Sequence, residues 1–328
     1  MPNKPSQISN LEAIRNAIAV EMRLNPDIIL LGEGTGERGG CFAHTKGLYQ
    51  EFGADRLFDT PISENGFTGM AIGAAATGLH PIVDLMFVDF IHDAMTQLIN
   101  QAAKMHFMSN GQLRVPMVLR ASIGSTTASA GHHSGVYYPL FMHIPGLRVV
   151  TYATPADGYG LMRSALREPN PVIFLDHKGL FPFKGDAPEE DYLVPLGKAR
   201  ICREGADVTV VAASLMVHYA LEAAEQLAKQ YVVEVIDVRT VSPLDLETIF
   251  TSVEKTGRLL IVDEAYPVCS MASEIAAAVA GARLYDLDAP IHRLNALPIA
   301  HPFSPPLELA TIPRAAQICE SIAALMKE

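Results

Sequence analysis

The segment Asp59-Thr60-Pro61-Ile62-Ser63-Glu64-Asn65-Gly66 is the first place to look for proton chemistry. Thr60-Pro61 sets an extended approach, because proline disfavours helix at the residue before it. Ser63 or Asn65 can cap the next helix. That helix carries Gly69-Met70-Ala71-Ile72-Gly73-Ala74-Ala75-Ala76, small residues that permit close packing on another backbone at a cost in helix propensity. Glu64 therefore lies at the mouth of a helix and at the edge of a sheet. Taken alone, a glutamate there is more often a surface residue favoured by the helix dipole. A second cluster is the Gly/Ser/Thr/Ala-rich loop 122–134, closing with Gly131-His132-His133-Ser134-Gly135. It comes after an expected strand, so it lies at the C-terminal end of a sheet, where open α/β folds bind ligands. A histidine there either exchanges a proton near neutral pH or merely hydrogen-bonds its own loop. Adjacent histidines suit one metal ion poorly, and no HExxH pattern supports them.

A third motif, Gly34-Thr35-Gly36-Glu37-Arg38-Gly39, matches GxGxxG after a strand, with Asp55 about 20 residues on. A dinucleotide site needs those glycines to open a helix facing the pyrophosphate. Here Gly40-Cys41-Phe42-Ala43-His44-Thr45 intervenes, helical periodicity resumes only near Lys46, and Glu33 and Glu37 would set carboxylates beside the phosphates. A glycine-rich turn is the simpler reading.

The elements that must position these residues alternate. Ser9 and Glu12 form a capping-box pattern ahead of Leu11, Ile14, Ile18 and Met22 at helical spacing. Apolar runs predict strands over 28–31, 82–88, 115–119, 147–152 and 172–175. A long helix is expected over 94–108, with Ala94, Met95, Leu98, Ile99 and Ala102 on one face, and another at Met162 and Leu166. Residues 178–200 break the rhythm and read as a connection. Strands over 207–212, 232–238 and 259–262 then alternate with helices near 217–229, 244–253, 273–280 and 315–326. Apolar strands joined by helices imply parallel sheets covered on both faces. The expected fold is two three-layer α/β domains with mostly parallel sheets: residues 1–185, a linker 186–204, and residues 205–328.

Composition narrows the function classes. Among 328 residues, 25 are Lys or Arg and 36 Asp or Glu, a formal charge of −11. With no basic tract, nucleic-acid binding is excluded. Apolar stretches are too short for a membrane span, whereas 49% hydrophobic residues suffice for two cores and exclude disorder. Cys41, Cys202, Cys269 and Cys319 lie far apart without CxxC or CxxH spacing, which fits a reducing cytosol. Residues 1–10 are polar and lack the apolar core of a signal peptide, so a cytoplasmic location is expected.

Taken together, the segments resemble the β subunit of the thiamine-diphosphate-dependent E1 component of 2-oxo acid dehydrogenase complexes, over nearly the full length. The resemblance rests on Leu30-Leu31-Gly32-Glu33, Arg56-Leu57-Phe58-Asp59-Thr60-Pro61-Ile62-Ser63-Glu64, Ala71-Ile72-Gly73-Ala74-Ala75, Asn100-Gln101-Ala102-Ala103-Lys104, His143-Ile144-Pro145-Gly146-Leu147, Asn170-Pro171-Val172-Ile173-Phe174, Pro195-Leu196-Gly197-Lys198-Ala199 and Leu287-Asp288-Ala289-Pro290. It implies a pyrimidine-binding domain and, after it, a transketolase C-terminal-like domain. Glu64 matches the glutamate that hydrogen-bonds N1′ of the cofactor aminopyrimidine, and Phe90 the aromatic that stacks on that ring. Ile62 matches a further cofactor-binding position. His133 matches the active-site histidine, acting on the substrate side and toward the incoming lipoyl group. Glu33 matches an acidic residue of the polar tunnel between paired active sites. Backbone carbonyls of Met117, Ala165, Leu166, Glu168 and Asn170 match a structural potassium loop.

An absence also bears on partners. Thiamine enzymes hold the diphosphate through Mg²⁺ on a GDG motif with an Asn pair downstream, and this chain has none; Gly185-Asp186-Ala187 has no Asn pair behind it. The resemblance therefore implies only the pyrimidine half of the site, a Mg²⁺-holding E1 α partner in an α2β2 assembly, and a lipoyl-bearing E2 acyltransferase as acceptor. The implied activity is decarboxylation of a 2-oxo acid, or acetoin cleavage, with acyl transfer to a lipoyl domain. The chain departs from the pattern at Gly135, where Gln is expected, at Ala121-Ser122-Ile123-Gly124-Ser125, and at Leu297-Pro298, which lacks the usual acidic residue. Ile123-Gly124 and Tyr138-Pro139-Leu140-Phe141 lean toward the acetoin branch. The rival readings are a transketolase-like C2-transfer subunit with a non-lipoyl acceptor, an NAD-binding dehydrogenase using Gly34–Gly39, and a non-catalytic scaffold subunit.

Overall fold

The computed structural model describes residues 6–125 and 128–328; Thr126 and Thr127 of the loop 122–134, and residues 1–5 of the polar start, lie outside the described residues. The chain divides into two units. One comprises residues up to Ile123 with Leu140–Val150 and Thr154–Leu196; the other comprises Gly124–Pro139, Thr151–Ala153 and Gly197–Glu328.

In the first unit the strands run in the order Arg148–Thr151, Val172–His177, Val118–Ile123, His80–Phe87, Ile28–Gly32, Leu57–Asp59. The four pairings from Val172–His177 through Leu57–Asp59 are parallel. Ile28, Leu30, Leu31, Ile82, Val83, Leu119, Val172 and Ile173 are at most 1% exposed, as strands covered on both faces require. The helix Asn10–Leu24 opens with the expected capping box: Glu12 N donates to Ser9 Oγ at 3.2 Å and Ser9 N to Glu12 Oε2 at 2.8 Å. Its buried Glu21 accepts from Arg163 Nε and Arg167 Nη2, both at 2.7 Å, which ties it to the helix Pro155–Ala165. That second helix starts with proline in its first turn and Thr154 Oγ1 accepting from Asp157 N, a favourable combination at a helix start.

Three local expectations change. The helix expected over 94–108 is broken into Ile91–Thr96, a wider π turn over Gln97–Ala102, and Met105–Met108. Ala103 N reaches back five residues to Leu98 O at 2.9 Å, the signature of a π bulge, which apolar periodicity does not report. The strand expected over 115–119 runs instead over Val118–Ile123, so Arg120 and Ser122 are strand residues. Within the connection, Lys184–Asp186 pairs antiparallel with Gln7–Ser9; three-residue strands are too short to carry a period.

The second unit holds a five-stranded sheet, order His292–Asn295, Leu259–Asp263, Val208–Ala212, Val233–Asp237, Arg200–Arg203. All pairs are parallel except the antiparallel edge strand Arg200–Arg203. Helices Leu215–Gln226, Leu246–Thr256, Met271–Ala282 and Ala315–Leu325 flank it. The segment Gly124–Pro139, which carries His132 and His133, is part of this unit.

Candidate active site

The first unit gathers acidic residues at the C-terminal ends of its central strands. Glu33 comes directly after Ile28–Gly32, Asp84 lies near the end of His80–Phe87, and Glu64 is the first residue of the helix Glu64–Ala76. The helix begins after Ser63, but no side-chain cap bond forms from Ser63. Close packing of this helix through small residues is real: a Cβ on Gly69 would meet the Gln97 side chain at 3.2 Å. Burial, the charge of Glu64 and the charge of Asp84 all push the Glu33 carboxyl above the ordinary carboxylate range. Glu33 thus tends to keep a proton where an isolated glutamate would lose it. An acid with a raised native pKa contributes stability below its unfolded value and loses that contribution as pH rises through the native one. Glu33→Gln is therefore expected to melt at a higher temperature than the parent chain at about pH 8 and to lose that advantage at about pH 4. Thermal melts at the two pH values check this.

Phe90 ends the short helical turn Val88–Phe90 and is half-buried, with its ring edge-on to Phe87 at 5.9 Å. Phe42 also packs edge-on to Phe87, at 5.4 Å, and Lys178 Nζ, itself 3% exposed, sits 5.3 Å from the Phe87 ring centroid. Ile62 is 82% exposed, a large apolar side chain left open beside the Glu64 helix start. Glu33, Glu64, Phe90 and Ile62 thus belong to one unit, whereas His133 stands on the other.

Asp84, one of the charges that raise Glu33, belongs to a buried charge row that no sequence motif marks. Asp84, Arg120 and Asp176 come from three neighbouring parallel strands. Asp84 Oδ2 meets His44 Nε2 and lies 3.2 Å from Arg120 Nη1, and Arg120 Nε meets Asp176. All four residues are at most 3% exposed. Burial raises the Asp84 carboxyl, but His44, Arg120 and the Met86 N–H outweigh it and hold it well below the usual range. The legible signal was a charged residue inside each apolar run, as in Ile82-Val83-Asp84-Leu85 and Val118-Leu119-Arg120-Ala121.

Gly34–Gly39 opens no helix. Gly40 N returns to Gly34 O, Gly36 N donates to Asp59 Oδ1 at 2.7 Å, and the next helix starts at Leu48. Without helix N–H groups aimed at a ligand, the turn lacks what a pyrophosphate requires.

In the second unit the histidine segment is held by buried carboxylates. Ser125 N donates to Glu264 Oε1 and Ala128 N to Glu308 Oε2, each at 2.9 Å, and the Tyr138 hydroxyl donates to Asp263. Burial pushes Asp263 up to about 6, even with donors at Tyr138, Ala265 and Ala272. His133 is half-buried, while Ser134 is fully enclosed. A Cβ on Gly131 would meet Ala300 at 3.6 Å.

Of the carbonyl set, Met117, Ala165 and Leu166 are buried. Met117 O accepts from Val172 N at 2.9 Å and Ala165 O from Glu168 N at 3.2 Å. The Glu168 carboxylate is engaged by Arg148 Nε at 3.1 Å and by the Asn170 amide at 2.7 Å. Among the described residues no cluster of His, Cys, Asp or Glu has the makings of a metal site, and no helix is long and apolar enough to cross a membrane.

Two α/β units, the first with a carboxylate group and an aromatic at its strand ends, define a transketolase-type architecture. Residues 6–184 match the transketolase pyrimidine binding domain and residues 197–318 the transketolase C-terminal domain. The chain is 47% identical to the acetoin:2,6-dichlorophenolindophenol oxidoreductase subunit beta of Cupriavidus necator, covering 96% of each. It is 44% identical to the pyruvate dehydrogenase E1 component subunit beta of Rhizobium meliloti, over 96% of this chain and 69% of that one. With the 2-oxoisovalerate dehydrogenase subunit beta of Bacillus subtilis it shares 42% identity over 92% and 94%. A solved split-gene transketolase, an inactive beta4 tetramer, aligns at a TM-score of 0.80 and 20% identity over 98% of both chains and shares the fold. The chain belongs to the family of E1 β subunits of the thiamine-dependent 2-oxo acid and acetoin dehydrogenases. It is a subunit of a thiamine-diphosphate-dependent oxidoreductase.

Proposed function

We propose that this chain supplies the pyrimidine half of a thiamine diphosphate site, with residues 1–185 as the pyrimidine-binding domain, 186–204 as a linker whose end, Arg200–Arg203, joins the second sheet, and 205–328 as the C-terminal domain. Its E1 α partner holds the diphosphate through Mg²⁺ in an α2β2 assembly. The assembly decarboxylates a 2-oxo acid or cleaves acetoin and passes the acyl group to the lipoyl domain of an E2 acyltransferase. Acetoin is the favoured substrate, because relatives from Cupriavidus necator and Bacillus subtilis at 47% and 46% identity carry acetoin in their names.

The observation that carries the reading is the grouping of Glu33, Asp84 and Glu64 in one electrostatic neighbourhood, on the unit that presents Phe90. That grouping fits an aminopyrimidine: a carboxylate for a ring nitrogen and an aromatic for its face, while the turn Gly34–Gly39 opens no helix toward a phosphate. When bound, thiamine diphosphate supplies the nucleophilic carbon and the electron sink for cleavage next to the carbonyl. The chain's own residues orient it. Glu64 would hold a proton at N1′, Phe90 would stack on the ring, Ile62 would contact the cofactor, and Glu33, its carboxyl pushed above the ordinary range by burial and by Glu64 and Asp84, would relay a proton along a polar tunnel. His133 donates or accepts a proton on the substrate side and meets the lipoyl group. The carbonyls of Met117, Ala165, Leu166, Glu168 and Asn170 hold a structural K⁺, each with a lone pair to spare.

The test is calorimetry of thiamine diphosphate with Mg²⁺, on this chain alone and co-expressed with its α subunit. Binding is expected only with the partner. Tight binding by the chain alone overturns the split site, and faster turnover of pyruvate or 2-oxoisovalerate than of acetoin overturns the substrate preference.

A further inference from the structure

The buried row His44–Asp84–Arg120–Asp176 is poorly explained as a stabilising device. Buried ion pairs seldom outperform an apolar packing of similar volume, because both partners lose their hydration. Asp84 moreover interrupts the apolar run of a central strand, Ile82-Val83 on one side and Leu85-Met86-Phe87 on the other. Its other oxygen points to a different role. Met86 N donates to Asp84 Oδ1 at 3.0 Å, and Met86 has a φ of 62°. A left-handed conformation is strained for any residue with a side chain. The register against Val118–Ile123 slips at the same place: Asp84 faces Arg120, but Phe87 faces Ser122, so three steps on one strand match two on the other. This is a β-bulge, which adds a residue and re-aims the chain beyond it. Immediately past the bulge stand Phe87, wedged edge-on between Phe42 and Phe90, and then the turn Val88–Phe90.

We infer that Asp84 is a positioning residue for Phe90: one carboxylate oxygen holds Met86 in the left-handed bulge that aims the aromatic pair, while His44 and Arg120 fix the other oxygen. The inference rests on the proposed function only in taking Phe90 as the ring that meets the cofactor. Gly32 belongs to the same arrangement. A Cβ there would lie 2.3 Å from the Asp84 carbonyl oxygen, so the neighbouring strand has no room for a side chain where Asp84 sits.

The test uses the full chain assembled with its α partner and reads thiamine diphosphate affinity beside the thermal midpoint. Asp84→Ala is expected to weaken cofactor binding about five- to thirtyfold, the equivalent of one left-handed residue losing its support. Adding Met86→Gly removes the strain and is expected to restore affinity nearly in full while the thermal midpoint recovers only in small part, because buried His44 and Arg120 still lack Asp84. A merely structural role would move both quantities together. Met86→Val, which leaves Asp84 and its ion pairs in place, is expected to weaken binding as Asp84→Ala does, because a β-branched side chain is least tolerated at positive φ. Unchanged affinity in either Asp84→Ala or Met86→Val overturns the inference, as does a double variant that binds no better than Asp84→Ala. Hydrogen exchange over residues 84–92, read without cofactor, separates this inference from the proposed function. Protection at Met86 that is lost in Asp84→Ala sustains the turn even if the parent assembly fails to bind thiamine diphosphate, whereas unchanged protection overturns it.

Discussion

Glu64→Gln is expected to lower turnover by about two to four orders of magnitude, the range of a lost proton-transferring side chain, with the assembly intact. The substitution keeps the shape of the residue and removes only its charge and its capacity to take a proton. The local structure can tolerate this, because Glu64 opens the helix Glu64–Ala76 without a side-chain cap to break. The cost to folding is confined to the interaction of one carboxylate with a helix N-terminus, about 0.3–1 kcal/mol. The loss should therefore appear in kcat, with cofactor affinity falling much less. The electrostatics carry a second consequence. The charge of Glu64 is one of the causes holding Glu33 above its ordinary range, so the Gln variant should let Glu33 ionise at lower pH. Steady-state turnover with a redox dye as acceptor, together with size-exclusion chromatography of the co-expressed complex, checks the prediction. Near-normal activity would remove Glu64 from the chemistry.

The parts of this protein that sequence made legible share one physical basis. Strands such as Ile28–Gly32 and Leu259–Asp263 are buried on both faces, so they are apolar except for Asp263 at the end of the second, and the apolar run is visible without any partner. The capping box at Ser9 and Glu12 was equally visible because it is a reciprocal bond between residues three apart. The elements that escaped depend on contacts far along the chain. The edge strand Arg200–Arg203 alternates too briefly to be read, and Gln7–Ser9 becomes a strand only because Lys184–Asp186 lies beside it. The site shows the same division. Glu64 and Phe90 stand beside turn and strand signals, and matching motifs reach them. The row of His44, Asp84, Arg120 and Asp176 is assembled from four places whose register no local pattern reports, although each strand charge was conspicuous among apolar neighbours. Left-handed Met86 gave no warning, since methionine has no preference that marks positive φ.

The histidine segment offers the second large effect, and its anchoring decides what a loss of activity there means. His133→Ala is expected to leave thiamine diphosphate binding within about threefold while lowering acyl transfer to a lipoyl domain by about two to four orders of magnitude. The asymmetry comes from where the side chain is held. Ser125 and Ala128 donate backbone N–H groups to Glu264 and Glu308, Tyr138 donates its hydroxyl to Asp263, and Gly124 N donates to Gly135 O at 3.2 Å. None of these bonds uses the His133 side chain, and Ser134 beside it is fully enclosed. Truncation at 133 therefore removes an imidazole from a segment that other residues continue to fix, and the backbone should keep its course. The pyrimidine contacts proposed for Glu64 and Phe90 lie on the other unit's elements and do not require the imidazole. Two assays on one preparation separate the effects: dye-linked oxidation, which needs no lipoyl acceptor, and reductive acylation of a lipoyl domain. A loss confined to the second assay, or far larger there, supports the role given to His133. Equal loss in both places it in the earlier step, and loss of cofactor binding would mean that the residue shapes the site rather than serving the transfer.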